Sequence, residues 1–211
     1  MSQPSDRTCE LQAPGKVDDR LNEFWVGNPW MIARGGHNLS AYERNRVYLN
    51  AGGREFLDAS HISGADSDGD GRSVVAADFR NAGLPDLLVR QVGGGALLYY
   101  ENRLPRAGYL TVSLRGDKSN SRGIGARLVA EVGGRQIVRE LFPANGFRSQ
   151  APAHVQFGLG GATAIDKLTI RWPSGREQVL TGIAANRHVV IDEARDGPGA
   201  IETVVPGARR D

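Results

Sequence analysis

Apolar and polar positions alternate one by one along the second half of the chain. In "YLTVSL", Leu110, Val112 and Leu114 share a side. In "GARLVAEV" the shared set is Ala126, Leu128, Ala130 and Val132. In "DKLTIRW", Leu168, Ile170 and Trp172 point one way and Lys167, Thr169 and Arg171 the other. A period of two with one apolar face predicts strands half-buried against a core. The turn signals "VGGR", "FPANGF", "LGGA" and "WPSGRE" separate these runs. That spacing predicts an antiparallel sandwich or barrel. No segment carries a helical stripe.

From Asn45 the pattern is also β, in shorter pieces. "RVYLN", "EFLDAS", "RSVVAADF", "DLLVRQ" and "ALLYYEN" are rich in Val, Leu, Tyr and Phe, with Gly, Asn and Asp between them. "AGG" at 51–53 reads as a hairpin connection, since Gly accepts the positive φ such turns require. Pro105 and Gly108 break the pattern in "ENRLPRAGY". The expected organisation is a flexible arm over 1–20, a first unit over 21–104, a second over 105–193 and a disordered tail over 194–211. The stretch "LNEFWVGNPWMIARGGHNLSAYER" reads as irregular structure packed by its aromatics.

Composition narrows this picture only slightly. A net charge of +2 argues against a nucleic-acid partner, and no apolar run has the length of a membrane span. Cys9 is the only cysteine, so no internal disulfide forms. The first twenty residues lack the apolar stretch of a signal peptide.

Three loops are candidates for chemistry. In "GADSDGDGRSVVAADF", Asp66, Asp68 and Asp70 alternate ahead of Gly71. Alternating carboxylates before a Gly can wrap Ca²⁺ with hard oxygens. Position twelve of such a loop is Ala77, however, and the flanks are strand-like, which favours a solvated acidic turn. In "DFRNAGLPDLL", read as D-x-D-x-D-G-x-x-D, Asp78 and Asp86 hold the outer positions and Gly83 the turn. Arg80 and Ala82 replace the inner acids. This degraded loop is expected to bind Ca²⁺ weakly or not at all, with Arg80 standing in for the ion and pairing with Asp78 or Asp86. "SNSRGIGARL" is no phosphate loop: G-x-x-x-x-G-K-[ST] is absent and no helix follows. Gly123 and Gly125 fit a bend entering a strand, capped by Ser119 and Asn120.

The sequence holds no G-x-S-x-G, no H-E-x-x-H and no Cys/His pairing, so no catalytic residue is assigned and a non-enzyme is expected. His37, His61, His154 and His188 are scattered, and the last two, at strand starts, read as surface residues. Trp25, Trp30 and Trp172 read as packing residues. "NLS" at 38–40 is a glycosylation sequon, relevant in a secreted eukaryotic chain.

"SNSRGIGARL", "NGFRSQAP", "VQFGLGGA" and "DKLTIRWPSG", in this order, closely resemble the ASPIC/UnbV domain of cartilage acidic protein-like proteins, over about 108–193. Ser119, Asn120, Gly123, Gly125, Gln150, Gly158, Gly160, Trp172, Pro173 and Gly175 match its recurring residues. The block "NRVYLNAGGREFLDASHISGADSDGDGRSVVAADFRNAGLPDLLV" resembles an FG-GAP/VCBS-type repeat, a propeller blade. About one and a half repeat units are present, too few to close a propeller. The resemblance implies an all-β chain: a C-terminal antiparallel β-sandwich preceded by a partial β-propeller blade region. It also implies an extracytoplasmic location; with no signal peptide in the sequence, the alternatives are a cytoplasmic chain or a fragment of a longer protein.

The function expected from these features is a non-catalytic binding or adhesion module contacting a protein or glycan. Self-association through exposed sheet edges is a further expectation. The alternative is an enzyme or enzyme-accessory domain. There the loops at 115–125, 143–150 and 172–177 would converge, and Asn120, Arg122, Asn145, Arg148, Gln150 and Arg176 would grip an anionic or polyol ligand.

Overall fold

The computed structural model describes residues 44–204, apart from 68, 70, 92–95, 145 and 148. The arm at 1–20, the aromatic segment through residue 43, the sequon, Trp25, Trp30 and His37 lie outside the described residues. The chain divides into two compact units, one of residues 1–74 and 88–100, the other of 75–87 and 101–211.

In the first unit, β1 (Tyr48–Asn50) and β2 (Phe56–Asp58) pair as an antiparallel hairpin. The "AGG" connection behaves as its glycines predict: Gly52 and Gly53 have φ of 71° and 79°. A single helical turn, α1 (Ser60–Ser63), follows. The hairpin's Tyr48, Leu49, Phe56 and Leu57 are all exposed. Strands β3 (Gly71–Ala77), β4 (Asp86–Gln91) and β5 (Leu98–Tyr100) form a three-stranded sheet in that order. The division between units passes through β3 and β4.

The second unit is a sandwich. Its strands are β6 (Gly108–Arg115), β7 (Arg127–Val132), β8 (Arg135–Glu140), β9 (His154–Gly160), β10 (Ala164–Arg171), β11 (Glu177–Ala184), β12 (Arg187–Asp192) and β13 (Ile201–Thr203). They form two four-stranded sheets, β11-β10-β7-β8 and β13-β12-β6-β9, and among the described residues neither closes into a barrel. The alternating sets read from the sequence are the inner faces. Leu110, Val112 and Leu114 of one sheet meet Leu128, Ala130, Leu168 and Ile170 of the other in a single core. Phe157 and Trp172, the largest buried side chains, fill it.

Two features depart from the expectation. The sandwich is not wholly antiparallel: β12 lies parallel to β6, with His188 beside Thr111 and Ile191 beside Leu114. These strands are far apart in sequence, so no hairpin constrains their sense. Order also continues past residue 193, where a disordered tail was expected. Residues Gly197–Ala200 form a 3₁₀ turn and β13 pairs with β12. Ala200 is buried in the core, with Ile201 packed against it. A short apolar "AI" inside a Gly/Pro-rich stretch is too weak a local signal, and only the edge of β12 gives it a partner.

Candidate functional site

The loop "SNSRGIGARL" is built around a carboxylate that sequence reading passed over. Glu193, following β12, is 1% exposed. It accepts hydrogen bonds from the backbone N–H of Asp117 (2.6 Å) and Ser119 (2.9 Å) and from the hydroxyls of Ser119 (2.9 Å) and Ser174 (2.6 Å). Burial alone would push this carboxyl up. The bonds from Ser174, Ser119 and Asp117 outweigh burial and hold it at about 2. The backbone N–H of Ser174 donates to Ser119 Oγ, tying the loop to the "WPSG" turn. Trp172 is buried, and its indole N–H donates to Gln178 at 3.0 Å, so it is a packing residue as expected.

Asn120 caps the bend. Its amide accepts from the N–H of Ile124 and donates to the carbonyl of Ile124, both at 2.8 Å. Gly123 and Gly125 adopt φ of 62° and 97°. A Cβ on Gly123 would stand 2.8 Å from Leu114 Cδ1 and 2.9 Å from its Cβ. Gly123→Ala combines a left-handed backbone with this overlap. We expect it to lower stability by about 2–3 kcal/mol, read as a fall in the denaturation midpoint at unchanged m-value. An unchanged midpoint would show that the bend is not fixed by its glycine.

Of the residues expected to grip a ligand, Asn120 is therefore committed to its own turn. Arg176 donates to the carbonyls of Glu193 and Arg195 and pairs with Asp196 at 2.6 Å. Arg122 and Gln150 are exposed. Asn145 and Arg148 lie outside the described residues. The loops at 115–125 and 172–177 do meet, joined through Ser119 and Ser174 at the Glu193 carboxylate.

In the first acidic loop, Asp66 pairs with Arg44 at 2.7 Å; Asp68 and Asp70 lie outside the described residues. In the second, the Arg80 guanidinium reaches Asp86 through Nε (3.3 Å) and Nη2 (2.9 Å), Glu101 at 2.7 Å and the carbonyl of Asn102 at 2.9 Å. Asp86 is fully buried and also accepts the N–H of Asn102. Asp78 accepts the N–H groups of Ala82 and Gly83. Arg80 thus pairs with Asp86, of the two acids that flank it. Among the described residues, no group of three or more His, Cys, Asp or Glu is placed to hold a metal ion.

This loop covers part of the outer face of the β13-β12-β6-β9 sheet. The Gly83 carbonyl accepts from Gln156 Nε2 at 2.7 Å, and a Cβ on Gly83 would enter the Tyr109 ring. Beside it lies a cleft of two lobes. The first, about 510 Å³, includes Asn81, Arg106, Tyr109 and Asn186. The second, about 330 Å³, shares Asn81, Tyr109 and Asn186 and adds Asp78, Thr111, His154, Arg187 and His188. Asn81 (φ 51°) and Asn186 (φ 58°) are the only non-glycine residues at positive φ among the described residues, and both border both lobes. The N–H of Asn186 donates to the Tyr109 carbonyl at 2.7 Å, fixing the β11–β12 turn over the start of β6.

His154 and His188, read from the sequence as surface residues, are half-buried and meet edge to face at 5.6 Å. Burial lowers the His154 pKa, against a smaller upward pull from Asp78. Burial and Asp78 raise the Tyr109 phenol, while Arg106 opposes them. His188 Nε2 lies 2.8 Å from Ser113 Oγ. The cleft thus offers hydrogen-bonding groups of both senses around one aromatic ring. Asp78 and Asn81 belong to the degraded acidic loop; no local motif marks Tyr109, His154 or His188, whose only signal is an outward position on alternating strands.

Residues 116–198 match the family model described as ASPIC and UnbV, which bears out that part of the resemblance. No curated protein matches the chain.

Proposed function

We propose that the chain is a non-catalytic binding module of adhesion type, contacting a protein or glycan partner through the two-lobed cleft on the outer face of the β13-β12-β6-β9 sheet. The observation that carries this reading is the convergence of Tyr109, Asn81 and Asn186 on both lobes, with Asp78, His154 and His188 lining one. A concave surface with a few convergent polar groups is what a ligand site requires. The reading includes an extracytoplasmic location, a propeller-type repeat character for the upstream unit, and self-association through sheet edges. The exposed Tyr48, Leu49, Phe56 and Leu57 of the hairpin are consistent with that last part.

The test is retention of the purified chain on a panel of immobilised glycans and extracellular matrix proteins. One class is expected to retain the wild type and Arg122→Ala alike and to lose Tyr109→Ala. Loss with Arg122→Ala and retention of Tyr109→Ala would move binding to the arginine-bearing loops and overturn the assignment.

A further inference from the structure

We infer that the cleft around Tyr109 is a subsite for an acidic saccharide, a hydroxyl-rich ring carrying a carboxylate. This rests on the binding-module reading above and narrows its ligand. The charge on the lining is the first argument. Arg106 borders one lobe and Arg187 the other. Both are exposed. No ion pair among the described residues engages either. Arg187 spends only its Nε, on the Ala185 carbonyl at 3.5 Å. Among the described lining residues Asp78 is the one carboxylate, and it already accepts two backbone N–H groups. Two uncommitted guanidiniums against one committed carboxylate favour an anion, and a guanidinium recognises a carboxylate through paired N–H donors.

The hydrogen-bonding inventory is the second argument. Asn81, Asn186, Thr111 and His154 can each donate and accept. Saccharide hydroxyls do the same, so this lining suits them, whereas a bare inorganic anion would use donors alone. Tyr109 borders both lobes and offers an aromatic surface beside these groups. The lobes, about 510 and 330 Å³, fall within the usual span of small-ligand sites, about 300–1,000 Å³. Because the two arginines border different lobes, the ligand that satisfies both is extended, with at least two sugar units.

The experiment is a calorimetric and NMR titration of the full chain with a glucuronic-acid-containing disaccharide and with its neutral glucose counterpart. The acid is expected to bind about tenfold or more tightly than the neutral sugar, a difference of about 1.4 kcal/mol, with shifts at Tyr109, Asn186 and His188. Arg106→Gln and Arg187→Gln are surface changes, checked for fold by circular dichroism. Together they are expected to erase the preference, and Tyr109→Ala to abolish binding of both sugars. Equal affinity for acid and neutral sugar overturns the inference and leaves the cleft a binding site. Failure of both sugars, with a protein retained on the panel through Tyr109, also overturns the inference and leaves the module reading standing. Acid binding that survives the arginine double variant and is lost in Arg122→Ala overturns both.

Discussion

Replacing Glu193 by Ala is expected to lower stability by about 2–4 kcal/mol and the melting temperature by about 5–10 °C. Among the described residues the carboxylate is the acceptor of the N–H groups of both Asp117 and Ser119, and it holds two serine hydroxyls besides. Without it, backbone donors of the 116–119 bend face a void. Glu193→Gln is expected to cost less. Its amide oxygen can take the two backbone N–H groups, and its NH₂ can face the serine hydroxyls, which reorient. The charge, however, is gone. The wild-type carboxyl titrates at about 2 in the folded chain against 4.5 for an ordinary glutamate. A folded pKa below the unfolded one means that the unfolded state binds the proton more readily. Its contribution is therefore complete above about pH 4.5 and is lost as pH falls toward 2. Denaturant titrations of wild type and Glu193→Gln across pH 6 to 2 check this. The two stability curves should converge as pH falls. Curves that stay parallel would show that Glu193 does not carry the acid sensitivity.

The second large effect lies at Arg80. Arg80→Ala strips the guanidinium from Asp86, which is fully buried, and is expected to cost about 3–5 kcal/mol, the usual penalty for a stranded buried charge. Combining Arg80→Asp with Ala82→Asp restores acids at both inner positions between Asp78 and Asp86 while keeping Gly83. In chelator this double variant is expected to be at least as unstable as Arg80→Ala, because carboxylates now repel around Asp86. At 1 mM Ca²⁺, a micromolar site would return about 4 kcal/mol. Thermal melts with Ca²⁺ and with chelator read the difference between variant and wild type, which removes any response of the 66–70 loop common to both. A double variant no more responsive than wild type would mean that the loop geometry, and not Arg80, bars the ion.

These two sites mark different degrees of legibility. The Arg80 substitution was readable because a loop pattern with fixed spacing exposes a foreign residue at a ligand position. Which acid it would pair with was not, because that depends on how Glu101 and Asn102 return beside Asp86. Asn120 was readable as a cap, since its partner is four residues away. Glu193 was not, since its donors lie some seventy residues upstream at Asp117 and Ser119 and nineteen upstream at Ser174. Loop chemistry alone points to Asn120, Arg122, Asn145, Arg148, Gln150 and Arg176 as a gripping set. Arg176 is instead spent on Asp196 and on carbonyls near Glu193, partners that a sequence pattern does not reveal.

The amino-acid order alone sets the strands and their faces. Alternation with a period of two is a local property, and the buried sets at 110–114, 126–132 and 168–172 follow from it directly. It also determined the tight bends at 52–53, 120–125 and 172–175, where glycine or asparagine chemistry acts within four residues. Which outward-facing residues become neighbours depends on long-range strand pairing. The parallel pairing of β6 with β12 sets His188 beside Thr111, and the antiparallel pairing of β6 with β9 sets His154 beside Ser113. Together with the 78–82 loop, these pairings assemble the Tyr109 cleft from distant stretches of the chain. The shared core on the other side of the sheet holds these strands together, and contacts such as Gln156 to Gly83 and His188 to Ser113 then join their polar residues across the outer face, none of which a local pattern encodes.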